Sequence, residues 1–149
     1  MELTRLKVNS QYRPCVDEAP YFSWVITSGK KNVMQTSYHI TVTGLGEVVW
    51  DSGVVESDKN TFVEYNGKPL KSLSDYSWTV EVTVNNGEKA AASSSFETGF
   101  MKKEWTAEWV KSPFPMKKVK PGTGGQNPAE YFRKEFGVRD GIKRARVYA

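Results

Sequence analysis

Nine consecutive residues, Tyr76-Ser77-Trp78-Thr79-Val80-Glu81-Val82-Thr83-Val84, alternate without a break between large apolar and small or polar side chains. A strand turns successive Cβ atoms to opposite sides, so Tyr76, Trp78, Val80, Val82 and Val84 share one face and Ser77, Thr79, Glu81 and Thr83 the other. A helix would spread the five apolar groups around its whole circumference. The segment therefore commits the chain to a sheet that is dry on one side and wet on the other. Phe22, Trp24 and Ile26 repeat the pattern, as do Tyr38, Ile40 and Val42 set against Ser37, His39, Thr41 and Thr43. Shorter strands fit Leu3 to Val8, Val48 to Asp51, Thr61 to Tyr65 and Ala91 to Glu97, which makes seven.

Turn chemistry falls between these runs. Asn85-Asn86-Gly87 supplies the positive φ that a tight hairpin needs, and Asp51-Ser52-Gly53 and Asn66-Gly67 punctuate the middle of the chain in the same way. Pro14 and Pro20 lie between the first two strands, where a missing N–H costs no ladder bond. Seven short strands in about 100 residues predict an all-β fold, a two-sheet sandwich of immunoglobulin or fibronectin type III kind. Tyr76, at the start of the long sixth strand after Leu70-Lys71-Ser72-Leu73-Ser74-Asp75, is placed for a tyrosine corner whose hydroxyl bonds the upstream backbone. Trp24 and Trp78 are expected in the core. Cys15 is the single cysteine, so no intrachain disulfide, Cys-rich zinc site or redox pair can form, and the fibronectin branch is favoured over an antibody-type domain.

Charge divides the chain. Residues 1–100 carry nine Lys/Arg against twelve Asp/Glu, and residues 101–149 carry twelve against five, within an overall net charge of +4. The shift follows Phe96-Glu97-Thr98-Gly99-Phe100, where a strand pattern ends at a glycine, and sets a boundary between a sandwich at 1–100 and a second segment at 101–149. In that segment Trp105-Thr106-Ala107-Glu108-Trp109-Val110 reads as a short strand or as one amphipathic helical turn, with the strand preferred. Ser112-Pro113-Phe114-Pro115 through Asn127-Pro128 reads as a long loop, and Tyr131 to Val138 and Lys143 to Ala149 as two further strands. Three strands cannot close a sandwich, so 101–149 is expected to be a linker and the first strands of an incomplete β-rich domain. The chain thus reads as the front end of a larger protein. Its start has no apolar signal-peptide core and no run of about 18 apolar residues occurs, so neither a signal peptide nor a membrane span is read from it, and no compartment is assigned.

The ordered set Pro20-Tyr21-Phe22-Ser23-Trp24, Gln35-Thr36-Ser37-Tyr38-His39-Ile40, Val49-Trp50-Asp51-Ser52-Gly53, Tyr76-Ser77-Trp78, Phe96-Glu97-Thr98-Gly99 and Trp105-Thr106-Ala107-Glu108-Trp109 resembles the N-terminal region of bacterial α-L-rhamnosidases of the glycoside hydrolase family 78 kind. Any one motif is common; six in order and spacing are specific. The resemblance implies a fibronectin type III-like sandwich, then a jelly-roll region whose opening strands would be Tyr131 to Phe136 and Lys143 to Tyr148, and a catalytic (α/α)6 barrel beyond residue 149. It implies a parent enzyme that removes terminal α-linked L-rhamnose with inversion, using an acid and a base carboxylate about 6.5–9.5 Å apart. None of the family's catalytic positions lies in this chain, so no residue of it is assigned a catalytic role, no cofactor is implied, and the chain alone is expected to be inactive. The partners so implied are the downstream domains of the same polypeptide and, for the parent, rhamnosylated glycosides.

Local candidates for chemistry are weak beside that reading. Asp51 with Glu56, or Asp17 with Glu18, are loop acids with a solvated surface as their simpler explanation. His39 is the lone histidine, on the polar face of its strand with no evident triad or metal partners. Cys15 reads as a half-buried structural thiol. Gly122-Thr123-Gly124-Gly125 lacks the Lys-Ser/Thr ending of a phosphate loop. Lys117-Lys118-Val119-Lys120 and Lys143-Arg144-Ala145-Arg146 offer a nucleic-acid footprint, for which a solvated face is the simpler account. Among exposed-aromatic candidates for a sugar contact, Trp50 and Trp109 read as packing residues and Trp105, beside the boundary, is retained. The alternative to an accessory segment is a stand-alone carbohydrate-binding or adhesion module.

Overall fold

The computed structural model describes residues 1–101, 106–111, 113, 131–138, 140–142 and 145. The chain divides into two compact units, Met1–Thr106 and Ala107–Ala149. The first unit contains eight strands: β1 (Glu2–Val8), β2 (Cys15–Val16), β3 (Tyr21–Thr27), β4 (Gln35–Gly44), β5 (Glu47–Glu56), β6 (Val63–Glu64), β7 (Asp75–Val84) and β8 (Lys89–Thr98). They form a three-stranded sheet, β1-β3-β6, and a five-stranded sheet, β2-β8-β7-β4-β5. All pairings are antiparallel except β2 with β8. No helix occurs among the described residues, so none there is long and apolar enough to cross a membrane.

Alternation in β7 does what its sequence requires. Tyr76, Trp78, Val80, Val82 and Val84 are buried, while Asp75, Ser77, Thr79 and Glu81 are exposed. Tyr38, Ile40 and Val42 of β4 lie opposite Val82, Val80 and Trp78 and enter the same core. The three-stranded sheet contributes Leu3, Val8, Phe22, Trp24 and Val63 to that core. Phe22 bridges the layers through ring contacts with Trp78 at 4.6 Å, Trp50 at 5.8 Å and Phe96 at 6.1 Å. Each buried aromatic removes 150–250 Å² of surface from water, and the tilted and edge contacts add about 0.5–1.5 kcal/mol per pair. The core is therefore held by packing, as a chain with one cysteine requires.

The β7–β8 hairpin turns at Asn85–Glu88: Gly87 has φ of +81°, its N–H reaches the Val84 carbonyl at 2.8 Å, and the Val84 N–H reaches the Glu88 carbonyl at 3.0 Å. This is a type I turn closed by a left-handed glycine. The tyrosine corner forms as expected. Lys71 N–H donates to the Tyr76 hydroxyl at 2.9 Å, while the buried Thr98 hydroxyl donates to the Lys71 carbonyl at 2.6 Å.

Three boundaries differ from expectation. Asp51-Ser52-Gly53 is a bulge inside β5 rather than a turn after it: the register slips there, Gly53 has φ of +61°, and the Ile40 N–H donates to Ser52 Oγ at 2.8 Å. A side chain replaces one lost ladder acceptor, so the strand continues to Glu56. The run 61–65 shortens to Val63–Glu64, and an eighth strand appears at Cys15–Val16, too short to carry a period.

In the second unit, residues 107–111 and 131–138 carry no strand or helix. Tyr131, Phe132, Phe136 and Val138 are exposed, and Arg133 pairs with Glu135. The strand expected over Tyr131 to Val138 is thus absent among the described residues, because alternation alone does not make a strand without a neighbour to accept its backbone bonds. The expected strand over 143–149 and the Gly122–Gly125 stretch lie outside or almost wholly outside the described residues.

Candidate functional site

Two of the hollows on the sandwich surface are lined wholly by described residues. The larger, about 570 Å³, lies over the β4–β5 turn and the start of β7. Much of its polar lining is already engaged: Thr43 Oγ1 and Ser77 Oγ bond each other at 2.7 Å, and Glu47 pairs with Lys68 at 2.9 Å. The smaller, about 370 Å³, lies between β5 and β6, the facing edges of the two sheets. Tyr38, Trp50 and Val63 form its apolar part, with Lys59, Glu64 and Asn66 among its polar lining.

Several elements hold this groove in shape. A register shift between Gln35 and Ser37 in β4 lets Gln35 be buried ahead of an inward-facing Tyr38. Its amide oxygen accepts the Trp24 indole N–H at 3.0 Å, and its amide nitrogen donates to the Ser57 and Lys59 carbonyls, both at 2.9 Å. One buried amide thus anchors the β5–β6 loop from beneath. On the other side the Tyr65 hydroxyl donates to the Lys68 carbonyl at 2.6 Å, and burial, with a smaller contribution from the Tyr76 phenol, pushes its pKa up to about 12. Tyr65 stays a protonated donor at any ordinary pH. The half-buried Trp50 packs edge-on to Tyr65 at 5.3 Å, and Gly67 fits against both, where a Cβ would meet the Trp50 and Tyr65 side chains.

Not every polar group in the groove is used. Tyr38 is 8% exposed, its ring packs edge-on to Trp24 at 5.4 Å, and its hydroxyl has no hydrogen bond among the described residues. Burial pushes its pKa up, which keeps the phenol neutral. The Lys59 ammonium and the Glu64 carboxylate likewise have no ion pair among the described residues, whereas the Asn66 amide N–H reaches only its near neighbour, the Glu64 carbonyl, at 3.4 Å.

The candidates singled out in the sequence fare unevenly. His39 Nε2 lies 2.6 Å from Asp51 Oδ1, an oxygen that also accepts the Gly53 N–H at 2.8 Å. The Gly53 bond first, and His39 second, hold the Asp51 carboxyl below its usual range, so it is ionised and unsuited to act as a general acid, which needs a raised pKa. Asp17, Glu18 and Glu56 are exposed. Cys15 is exposed rather than half-buried, because β2 contributes alternate residues to the core and Val16 takes the inward position. Trp24 and Trp78 are both buried. Trp109 is fully exposed, contrary to its reading as a packing residue, since no sheet forms around it among the described residues. Trp105, Lys117, Lys118, Lys120 and the basic run at 143, 144 and 146 lie outside the described residues. Among those described, no three His, Cys, Asp or Glu side chains cluster as a metal site would require. Sequence reasoning missed Gln35, Tyr38, Lys59, Glu64 and Asn66 as a group; the only local signal was polar punctuation around residues 57–60 and 66–67.

A family model described as Rha78A-like, N-terminal immunoglobulin domain matches residues 3–102. An α-L-rhamnosidase of Streptomyces avermitilis is 37% identical over 105 residues, which take in 65% of this chain and 10% of that protein. An α-L-rhamnosidase of Formosa agariphila is 29% identical over 174 residues, 99% of this chain and 18% of that one. The crystal structure of the Streptomyces avermitilis α-L-rhamnosidase complexed with L-rhamnose superposes with a TM-score of 0.71 at 32% identity, over 79% of this chain and 12% of that one. The chain spans less than a fifth of the length of these relatives.

Proposed function

The chain belongs to the family of Rha78A-like N-terminal immunoglobulin domains, and from that premise we propose that it is the noncatalytic accessory segment at the front of an α-L-rhamnosidase, a glycoside hydrolase that releases terminal α-L-rhamnose with inversion. One observation carries the reading: nearly the whole chain is similar to less than a fifth of a rhamnosidase. The sandwich adds a physical reason. Inverting hydrolysis needs one carboxyl kept protonated by its surroundings opposite one kept ionised, and the acids proposed from sequence, Asp17, Glu18, Asp51 and Glu56, are all exposed.

In this reading the packed core makes residues 1–100 a rigid body, and its partners are the further domains of the same polypeptide. Residues 101–149 are a linker and the opening of the β-rich region that follows. Similarity to the Formosa agariphila protein extends over 99% of the chain, well past the family match, and supports that assignment. Strands there would form on pairing with segments further along the polypeptide, and rhamnosylated glycosides would be substrates of the whole.

The test is an activity measurement on the purified 149-residue chain with p-nitrophenyl α-L-rhamnoside. No release of p-nitrophenol above the uncatalysed rate is expected. Release at an enzymatic rate, abolished by an Asp or Glu substitution in this chain, overturns the accessory reading.

A further inference from the structure

We propose that the groove between β5 and β6 is a binding site for a neutral pyranose, with Trp50 facing the ring and Tyr38, Lys59, Glu64 and Asn66 taking its hydroxyls. The proposal goes beyond the accessory role and stands on the chemistry of the groove, whatever the longer polypeptide does.

A pyranose has a face of C–H groups and a girdle of hydroxyls, each both donor and acceptor. It therefore fits a site with an apolar floor and polar groups of mixed character that do not already satisfy one another. The groove has that composition. The part-exposed Trp50 and Val55 supply apolar surface; the Lys59 ammonium donates, the Glu64 carboxylate accepts, and the Tyr38 phenol and Asn66 amide can do either. The Tyr38 hydroxyl is the strongest pointer. Tyr38 is 8% exposed, and its hydroxyl, which has no hydrogen bond among the described residues, is the part that opens on the groove, where it is free to bond water or a ligand. Its volume, about 370 Å³, falls in the range of small-molecule sites, whereas the larger hollow has much of its polar lining bonded internally.

Charge narrows the ligand class. Asp51 and Glu64 border the groove against the single cation Lys59, so a phosphate or uronate meets a net negative wall. The backbone beneath the groove is fixed, since Gln35 holds the carbonyls of Ser57 and Lys59 from below, so binding orders the exposed side chains of Lys59, Glu64 and Asn66 but not the loop that carries Lys59.

The test is an NMR titration of the isotopically labelled 149-residue chain with L-rhamnose, D-galactose and D-galacturonate. A neutral sugar should produce saturable shifts at the Trp50 indole N–H and the Asn66 side-chain amide, with galacturonate bound at least about fivefold more weakly. Tyr38→Phe and Glu64→Gln should each weaken binding by about three- to tenfold, the usual effect of one lost hydrogen bond. Both variants should keep the wild-type melting temperature, because neither group has a partner to lose among the described residues. Absence of saturable shifts with both neutral sugars, shifts centred elsewhere, equal binding of galacturonate, or wild-type affinity in both variants would each overturn the proposal. None of those results bears on the hydrolase measurement, so the two readings fail separately.

Discussion

At one margin of the five-stranded sheet the edge strand β2 is held on β8 by the backbone, with Glu97 N–H on the Pro14 carbonyl at 2.9 Å and Gly99 N–H on the Val16 carbonyl at 2.8 Å. At the opposite margin of the five-stranded sheet, β5 and β6 belong to different sheets and share no ladder. Apart from the Lys68 N–H bond to the Val49 carbonyl, that margin is held by side chains: the Gln35 amide, the Tyr65 hydroxyl and the Trp50 ring. Backbone closure brings strands to within about 5 Å and leaves no room between them. Side-chain closure spans a wider gap and leaves a groove whose walls carry polar groups. A binding site can exist at the second margin for the same reason that the margin is more vulnerable.

The contrast breaks most visibly at Gln35. Replacing it with leucine conserves volume but strands the buried Trp24 indole N–H and removes the anchor of the Ser57 and Lys59 carbonyls. A loss of about 2–3 kcal/mol is expected, read as a lower urea midpoint at unchanged slope. Cys15→Ala at the backbone-closed margin removes an exposed side chain and no main-chain bond, and should stay within about 0.5 kcal/mol of wild type. Comparable losses in the two variants would show that the margins do not differ in the way described.

A smaller effect separates the two buried tryptophans. The Trp24 indole is bonded to Gln35, whereas the Trp78 indole nitrogen is buried with no hydrogen-bond partner among the described residues. Tryptophan to phenylalanine leaves a similar void at both positions. Only at Trp24 does it also orphan the Gln35 amide oxygen, so Trp24→Phe should be the more destabilising by about 1–2 kcal/mol in paired denaturation curves. An equal cost would mean that the Gln35 network contributes little.

The centre of the five-stranded sheet and its two margins also differ in how much of them could be read from sequence, and β2, only two residues long, was missed. The β7 period, the Asn85–Gly87 hairpin and the Tyr76 corner are local patterns, and local patterns survive folding when one face is buried. Gln35 was not recognisable as a core residue, because only the register shift before Ser37 puts a polar strand-starting residue inward. The bulge at Asp51–Gly53 uses turn residues inside a strand, so its composition pointed to the wrong element. The groove escaped for a further reason: Tyr38 and Trp50 lie on β4 and β5 of one sheet, Lys59 and Glu64 before and in β6 of the other, and the two pairs converge only when the two sheet edges face each other. Over Tyr131 to Val138 the reverse holds, with a strand-like pattern and no strand, since pairing is a property of two segments.

Asp51 offers the finest test, because it holds the bulge on the side-chain-closed edge with a charge as well as with geometry. Its carboxylate accepts the Gly53 N–H and lies against His39, and both bonds hold its pKa below the usual carboxylate range. Folding therefore favours the ionised form. The resulting stabilisation is fully present above the ordinary carboxylate pKa of the unfolded chain, and it is lost as pH falls through the lowered pKa of the folded state. Asp51→Asn keeps an oxygen for the Gly53 N–H but not the charge. The variant should be less stable than wild type near neutral pH, and the gap should close on acidification as the wild-type carboxylate takes up its proton. Glu47 and Glu88 are lowered in the same direction by Lys68 and Lys30, so acid weakens both proteins and only the difference between their urea midpoints isolates Asp51. Because Asp51 is largely exposed, that difference should be the smallest of the three and should shrink further in high salt. A gap that does not change with pH would mean that the bulge is held by the Ser52 hydroxyl on the Ile40 N–H, and that the charge at Asp51 adds nothing to it.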